Sequence, residues 1–122
     1  MIGYVTVGTN DLPRAAAFFD ELLQVLGAKR LMDFGRGYAW GVSMEAPMFG
    51  VMKPYNQAAA TAGNGTMVAL AARSREQVDA LYAKAIALGG SDEGPPGPRG
   101  EGFYAAYFRD LDGNKYNVFC MG

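Results

Sequence analysis

The feature that most constrains the fold of this chain is an order of elements that occurs twice. An alternating apolar pattern, typical of a strand, precedes each of two amphipathic helical patterns, and shorter strand-like runs follow each helix. The two strand patterns are Tyr4–Gly8 and Met67–Ala71, and the glycines Gly27 and Gly89 close the two helices. The chain therefore contains an internal repeat that is weak in sequence but clear in its order of elements.

Both helices carry signals at their ends. The first is predicted over Pro13–Leu26, with N-cap oxygens offered by Asn10 and Asp11. The second is predicted over Arg75–Leu88, after a capping-box pattern that begins at Ser74. Because apolar side chains recur at helical spacing in each segment, each helix is expected to bury one face.

The remaining strand patterns are short. After the first helix they are Lys29–Phe34, Tyr38–Ser43 and Met48–Lys53, and after the second they are a weak run near Ser91, then Phe103–Arg109 and Lys115–Met121. The segment Asp110–Asn114 predicts a hairpin between the last two strands, because Asp-Gly and Asn tolerate positive φ. The prolines in Glu93–Gly102 predict a loop without regular pairing, which is a candidate rim for a cavity.

The length of 122 residues fits a single domain that covers residues 1–122. Between the repeats lies Tyr55–Gly65, which is rich in Ala, Gly, Asn and Gln, and we interpret it as a linker. The two modules are then expected to cover about residues 1–54 and 66–122.

Composition and charge exclude several classes of function. The formal net charge is −1, so we expect neither nucleic acid nor an anionic membrane surface as a partner. No apolar stretch is long enough for a membrane span, and no secretory signal is visible after Met1. The single cysteine, Cys120, cannot form an internal disulfide, so a cytoplasmic location is the expectation.

The chain has no histidine. This removes the commonest protein ligand for zinc, nickel and non-haem iron. It also removes the only side chain whose ordinary pKa lies near neutrality. A general base would have to be a carboxylate, a lysine, a tyrosine or the thiol.

Four segments, which together span nearly the whole chain, are similar to the glyoxalase/bleomycin-resistance/extradiol dioxygenase (vicinal oxygen chelate) superfamily. They are Met1–Gly8 leading into Asn10–Leu12, Gly63–Leu70, Ala87–Gly90 and Tyr107–Lys115. The last segment is the most specific, because members typically carry Asp-Pro-Asp-Gly-Asn there and this chain has Leu111 in place of the proline. The resemblance implies an α+β fold of two βαβββ modules, whose curled mixed sheets surround a cavity that a homodimer usually completes.

The resemblance also implies where metal ligands would lie. The positions that correspond to the family's ligands hold Tyr4, Met67 and Asn117, and the fourth falls near Met52. A tyrosine phenol binds divalent ions poorly unless it is deprotonated, a thioether prefers copper(I), and an Asn carbonyl is neutral. We therefore expect no metal and no cofactor.

Strand alternation predicts which side chains face the cavity. Tyr4 and Thr6 should lie on the face opposite the helix, as should Met67 and Asn117, and Tyr107 should pair with Asn117 across the hairpin. The result would be a neutral, largely apolar pocket, or a core filled by the same side chains.

For several other candidate functional residues, a structural role is an alternative to a functional one. Trp40 either stacks on a ligand or is buried in a core or interface. Glu45 and Glu101 could act as bases, but surface solvation is the expectation. Cys120 is predicted to be an inert buried thiol. Met44, Met48 and Met52, which recur every four residues, are expected to fill a core.

These observations and the resemblance together predict a metal-independent protein that binds a small molecule, such as a drug or a metabolite. The resemblance also implies that it forms a homodimer. Its expected binding residues are Tyr4, Thr6, Trp40, Met52, Met67, Tyr107 and Asn117. The alternative is an enzyme that resembles lactoylglutathione lyase or a dioxygenase but has a non-standard site. A third possibility is an interaction module whose cavity is filled.

Overall fold

The computed structural model describes residues 1–122, and its two halves repeat one arrangement of elements. The chain divides into two units, Met1–Ala62 and Gly63–Gly122. Each unit has the order strand, helix and three strands, and each forms a four-stranded mixed sheet. The predicted α+β fold of two βαβββ modules is confirmed.

In the first unit, one helix packs on one face of the sheet. The elements are β1 Tyr4–Gly8, α1 Leu12–Leu22, β2 Lys29–Asp33, β3 Gly37–Gly41 and β4 Met48–Met52. The strand order is β1-β4-β3-β2, in which β1 runs parallel to β4 and the other pairs are antiparallel. Thr6 of the edge strand β1 lies opposite Gly50 of the inner strand β4.

The second unit repeats this topology. Its elements are β5 Val68–Ala71, α2 Arg75–Ala87, β6 Ser91–Pro98, β7 Phe103–Arg109 and β8 Lys115–Met121. The strand order is β5-β8-β7-β6, with β5 parallel to β8 and the other pairs antiparallel. Helices α1 and α2 have 11 and 13 residues, and neither has the length and hydropathy that a membrane crossing requires.

Helix α1 is shorter than predicted because its C-terminal end tightens. The Asp11 carboxylate accepts the N–H of Arg14 and caps the first turn. After Leu22 the chain continues as a 3-10 turn over Leu23–Leu26. Gly27 ends this turn with φ +76°, and its N–H donates to the carbonyl of Gln24 at 2.9 Å. The glycine supplies the left-handed conformation that closes the segment.

Helix α2 begins as predicted and ends one residue earlier. The Ser74 hydroxyl accepts the N–H of Gln77 at 3.1 Å. The Gln77 side chain in turn accepts the N–H of Arg73 at 2.8 Å, so the two side chains satisfy the N–H groups of Gln77 and Arg73. Val78 and Leu81 point from this helix into the core of the second unit.

Aromatic rings form the core of the first unit. The ring of Phe19 in α1 lies 4.9 Å from that of Phe49 in β4 and 5.9 Å from that of Trp40 in β3. Leu22 and Val51 complete this layer and are fully buried. Burying several large apolar side chains, at about 1.5–3 kcal/mol each, is what fixes α1 to this face of the sheet.

Strand β6 corrects the prediction of a loop over Glu93–Gly102. Ser91–Pro98 pairs with β7 although it contains three prolines. The pairing shifts register between Asp92 and Gly94 and again between Gly94 and Gly97. Because β6 is an edge strand, a proline that cannot donate to a neighbour costs little there, and the bulges take up the irregularity.

The turn between β7 and β8 is the predicted hairpin. The N–H of Asp110 donates to the carbonyl of Asn114 at 3.0 Å. One carboxylate oxygen of Asp110 accepts the N–H groups of Asp112 and Asn114, and the other accepts the Tyr116 hydroxyl at 2.7 Å. Asp110 therefore stabilises the turn from inside, as the family-like sequence of this segment suggests.

Candidate functional site

Side chains of the first unit alternate between a helix-facing surface and an open surface of the sheet. Val7 in β1 and Phe49 in β4 are buried under α1. Tyr4 and Thr6 are exposed, Tyr4 by 68%. Since alternate residues of a strand point to opposite faces, Tyr4 and Thr6 lie on the open surface, as strand alternation predicts.

This open surface forms one side of a cleft of about 620 Å³. The cleft is bordered by aromatic rings, hydroxyl groups, a thioether and two cations, supplied among others by Tyr4, Thr6, Phe34, Arg36, Met52, Lys53 and Tyr55. Small-molecule sites in proteins typically have volumes of about 300–1,000 Å³ and a mostly apolar lining with a few polar groups. The volume of the cleft lies in this range. Its lining differs from the neutral, largely apolar pocket that the sequence predicts, because Arg36 and Lys53 border it.

Two further hollows adjoin the same surface. One of about 820 Å³ shares Arg36, Lys53 and Tyr55 with the first cleft. A smaller one of about 330 Å³ is bordered by four methionines, Met32, Met44, Met48 and Met52. The expectation that Met44, Met48 and Met52 fill a core is wrong, because Met44 is 60% exposed and all three border this hollow. Their flexible thioethers instead form an adaptable surface.

The segment after β4 forms a wall of the cleft and is anchored to the end of β1. The N–H of Ala60 donates to the Asn10 side chain at 2.7 Å, and the Asn10 amide donates to the Ala60 carbonyl at 3.2 Å. A Cβ at Gly8 would come within 2.9 Å of the Ala60 Cβ, so glycine permits this close approach. The first part of the predicted linker therefore belongs to the first unit.

One residue in this wall has a strained backbone. Gln57 has φ +64° and is the single non-glycine residue of the chain with positive φ. That conformation costs a residue with a Cβ roughly 1–2 kcal/mol. The N–H of Gln57 donates to the carbonyl of Pro54 at 3.0 Å, which holds the turn in place.

Two cations border the 620 Å³ and the 820 Å³ clefts, and no acidic side chain lines either. Arg36 lies between β2 and β3, and Lys53 directly follows β4. The Nη1 of Arg36 donates to the carbonyl of Lys53 at 2.8 Å, and the N–H of Lys53 donates to the carbonyl of Arg36 at 2.8 Å. The Arg36 guanidinium carbon lies 5.3 Å from the centre of the Tyr55 ring.

The open face of the second unit brings Tyr107 beside Asn117. These residues are opposite each other in the pairing of β7 with β8, as predicted. Asn117 is only 2% exposed, and its amide donates to the Ala106 carbonyl at 3.2 Å. The cationic groups of Arg99 and Lys115 each lie 5.7 Å from the centre of the Tyr107 ring. This face therefore presents an aromatic ring flanked by cations, with the Asn117 amide already engaged in the sheet.

Two of the residues expected in the site lie apart from these surfaces. Met67 precedes β5, outside the sheet, and is 44% exposed. Trp40 is buried, with its ring against Phe19, and its indole N–H donates to the Asp20 carboxylate at 2.9 Å. Trp40 therefore lies on the helix-facing side of its sheet and does not line the cleft. Of the two alternatives for this residue, burial in a core is the one that the structure has.

The positions that correspond to the family's metal ligands do not offer a suitable donor set. Tyr4, Met52, Met67 and Asn117 supply a phenol, two thioethers and a neutral amide. A divalent cation of the zinc, nickel or iron kind prefers imidazole, thiolate or carboxylate. No three His, Cys, Asp or Glu side chains come together in the structure. The residues present therefore do not fit such an ion.

The remaining reactive side chains are not placed in the cleft. Glu45 and Glu101 are exposed, as surface solvation predicts. Cys120 is buried and alternates in β8 with the open-face residues, so its thiol faces the core. None of the three borders the 620 Å³ cleft.

Shifted pKa values in the second unit have structural causes. Burial raises the pKa of the Asp110 carboxyl, although the hydrogen bonds that it accepts from Tyr116 and from Asn114 act in the opposite direction. Burial, together with the nearby Asp110 charge, raises the pKa of Tyr116 well above its ordinary value. Tyr116 therefore remains a hydrogen-bond donor to Asp110.

Comparisons with known proteins agree with this architecture. The model of the Glyoxalase/Bleomycin resistance protein/Dioxygenase superfamily matches residues 1–118. A solved glyoxalase/bleomycin resistance protein from Albidiferax ferrireducens T118 is 41% identical with a TM-score of 0.92, and the match covers 100% of this chain and 99% of that one. No curated protein sequence matches the chain.

Two more distant structures share the fold alone. The fosfomycin resistance protein FosX from Listeria monocytogenes is 19% identical with a TM-score of 0.74, and the match covers 100% of this chain and 93% of that one. A lactoylglutathione lyase from Agrobacterium tumefaciens is 22% identical with a TM-score of 0.70, and the match covers 98% of this chain and 92% of that one. At these identities the activities in their names do not transfer to this chain.

Proposed function

We propose a function on the premise that this chain belongs to the glyoxalase/bleomycin resistance protein/dioxygenase superfamily. The chain binds a small organic molecule on the open face of its first unit, and it does so without a metal ion. The role is sequestration or transport of the bound molecule rather than its chemical conversion.

The observation that carries this proposal is the cleft of about 620 Å³ that contains Tyr4, Thr6 and Met52. Two of these residues, Tyr4 and Met52, occupy positions that correspond to metal ligands in the family. Here they supply a ring and a thioether, which contact an organic ligand well and a hard cation poorly. The scaffold is retained while the donor set for a metal is not.

The exposed rings indicate a planar ligand. Tyr4 and Phe34 are exposed although both border the cleft. Stacking a flat molecule on such rings removes apolar area from water, and each ring pair contributes about 0.5–1.5 kcal/mol beyond that burial. The Thr6 hydroxyl can orient the ligand through one hydrogen bond.

The competing function is an enzymatic one, a lyase or dioxygenase reaction with a non-standard site. It would require a metal held by unexpected oxygen atoms, or a carboxylate base in the cleft. No acidic side chain lines the cleft, and Glu45 and Glu101 lie outside it. Elemental analysis of protein purified without chelator separates the two functions, since stoichiometric nickel, zinc or iron would support the enzyme.

We also propose that the functional form is a homodimer. The first unit exposes the apolar side chains of Tyr4, Phe34 and Met44 on or beside one sheet face. Contiguous exposed apolar surface of this kind commonly marks an interaction site. A second copy of the chain would cover part of this surface and enclose the ligand.

The proposal is tested by a binding screen of planar drugs and metabolites with a Tyr4→Ala variant. Because Tyr4 is largely exposed, its truncation should leave the fold intact while it weakens binding by about ten-fold. Ile2→Ala is the matched control, since Ile2 is also exposed but lines none of the three hollows. Isothermal titration calorimetry gives the affinities. Failure of every compound to bind, or equal affinity for wild type and Tyr4→Ala, would contradict the proposal.

A further inference from the structure

We propose that the ligand of the first unit carries an oxyanion, a carboxylate or a phosphate, next to a planar group, and that Arg36 receives this oxyanion. This inference rests on the proposed function, because it assigns a chemical class to the ligand of the same cleft. The observations that carry it are the charge of the cleft, the geometry of Arg36 and the rings around it.

The cleft has an uncompensated positive charge. Arg36 and Lys53 border it, and neither forms an ion pair. No Asp or Glu side chain lines this cleft or the adjoining one of about 820 Å³. A concave surface with one sign of charge attracts ligands of the opposite sign.

The guanidinium of Arg36 is held in place with one edge unused. Its Nη1 donates to the Lys53 carbonyl at 2.8 Å, and its plane lies near the Tyr55 ring, 5.3 Å from carbon to ring centre. The edge formed by Nε and Nη2 makes no hydrogen bond within the chain. Two parallel N–H groups on such an edge match the two oxygens of a carboxylate or phosphate.

Arg30, in the same unit, differs from Arg36 in having an acidic partner. Its guanidinium lies 4.0 Å from the centre of the Tyr38 ring and pairs with the Asp20 carboxylate at 2.6 Å. Arg30 thus has both an aromatic neighbour and a counter-charge, whereas Arg36 has an aromatic neighbour and a backbone carbonyl but no counter-charge. The missing counter-charge is the one that an anionic ligand would provide.

The aromatic rings define the rest of the ligand. Tyr4, Phe34 and Tyr55 border the same cleft as Arg36. A flat group attached to the oxyanion can rest on these rings while Arg36 and Lys53 hold the charge. The two hydrogen bonds between Asn10 and Ala60 anchor this wall to the end of β1 before the ligand arrives, which lowers the entropy cost of binding.

Three naphthalene probes that differ in charge test this assignment. Wild-type protein is titrated with 2-naphthoate, 2-naphthyl phosphate and the neutral 2-naphthamide, and the dissociation constants are measured by ¹H–¹⁵N NMR. At least one of the two anions should bind about ten-fold more tightly than the amide, with shifts at Tyr4 and Thr6. Added salt should weaken the binding of the two anions and leave the binding of the amide unchanged.

Arg36→Gln should remove the advantage of the anions over the amide, and Arg36→Lys should restore part of it. Arg75→Gln is a matched control, because Arg75 also lies over a tyrosine ring, at 4.8 Å from Tyr104, and donates to a backbone carbonyl. Arg75 borders none of the three hollows, so Arg75→Gln should leave the affinities for all three probes unchanged.

Equal binding of the amide and both anions at Tyr4 and Thr6 would overturn this inference and leave small-molecule binding intact. Retention of the anion advantage in Arg36→Gln would overturn it as well. Absence of binding by all three probes would also count against it, and the wider screen with Tyr4→Ala would then decide the proposed function separately.

Discussion

Asp110 combines burial with several hydrogen bonds in the second unit. It is a buried carboxyl at the tip of a hairpin, and it accepts hydrogen bonds from the backbone and from the Tyr116 hydroxyl. Burial of a charge is costly unless each of its lone pairs is satisfied. The donors of the turn offset part of the cost of burying this carboxylate, while burial remains the larger effect.

Removing one of those donors should be measurable. We expect Tyr116→Phe to lower the free energy of unfolding by about 1–3 kcal/mol, because a buried acceptor loses a partner. Tyr82→Phe is the control, since its hydroxyl donates to Asp92 at 2.8 Å at the surface and its loss should cost about 1 kcal/mol or less. Urea denaturation of the three proteins gives the comparison. Equal effects of the two substitutions would show that burial of Asp110 does not matter.

The raised pKa of Asp110 determines the sign of a pH effect on stability. The folded chain takes up a proton at this carboxyl more readily than the unfolded chain, whose ordinary pKa is 3.8. The contribution of Asp110 to stability is therefore present in full below that value and is lost as the pH rises through the higher folded pKa. The free energy of unfolding of wild type minus that of Asp110→Asn should decrease over this rise in pH. Urea denaturation at several pH values measures this difference. A difference that increases with pH would contradict the prediction.

Among the elements, the sequence patterns predicted those fixed by local signals. The strands β1, β7 and β8, the start of α2 and the hairpin all lie where alternation, caps and turn residues place them. The sequence does not predict the 3-10 end of α1, and it predicts only the start of strand β6 near Ser91 and not its continuation through the prolines. The first depends on backbone bonds at Gly27, and the second depends on being an edge strand, where prolines are tolerated. An edge position is a property of the sheet and leaves no local signal.

Only part of the candidate site could be predicted from the sequence. Alternation placed Tyr4 and Thr6 on the open face, and the assignment of a ligand to them stays a prediction. Arg36, Lys53 and Tyr55 were missed because they lie in turns beyond the strand ends, where alternation says nothing about direction. The one available signal was a basic residue beside the end of each of two strands that come together in the sheet.

The pairing of β3 with β4 predicts a sharp steric limit at Gly37. A Cβ there would lie 2.3 Å from both the Val51 carbonyl oxygen and the Met52 sulfur. We expect Gly37→Ala to lower the free energy of unfolding by about 1–3 kcal/mol, because the backbone of β4 cannot move aside. Gly3→Ala is the control, since nothing lies within 4 Å of the added methyl. Thermal unfolding that is unchanged in Gly37→Ala would contradict the strand geometry described.

The whole molecule has the family fold, built from two units of the same topology. Each unit leaves one sheet face without a helix, and each such face presents aromatic rings and cations. A fold that needs no metal for its core can lose the ligands without losing stability, because both helices are held by apolar packing.

The proposed homodimer has a direct test. Light scattering coupled to size-exclusion chromatography should give twice the mass of one 13.0 kDa chain. Phe34→Asp places a charge on the exposed apolar face and should shift the population toward the monomer, because an unpaired charge is costly in an interface. A wild-type protein that stays monomeric at every concentration would contradict the dimer.

The central claim is that the first unit binds an organic molecule without a metal. The most direct measurement is the dissociation constant of the best compound from the screen, determined by NMR in protein treated with chelator and in protein supplied with nickel, zinc or iron(II). Metal-independent binding predicts the same dissociation constant in all samples, with chemical-shift changes at Tyr4 and Thr6. Binding that appears only after a metal is added would contradict it.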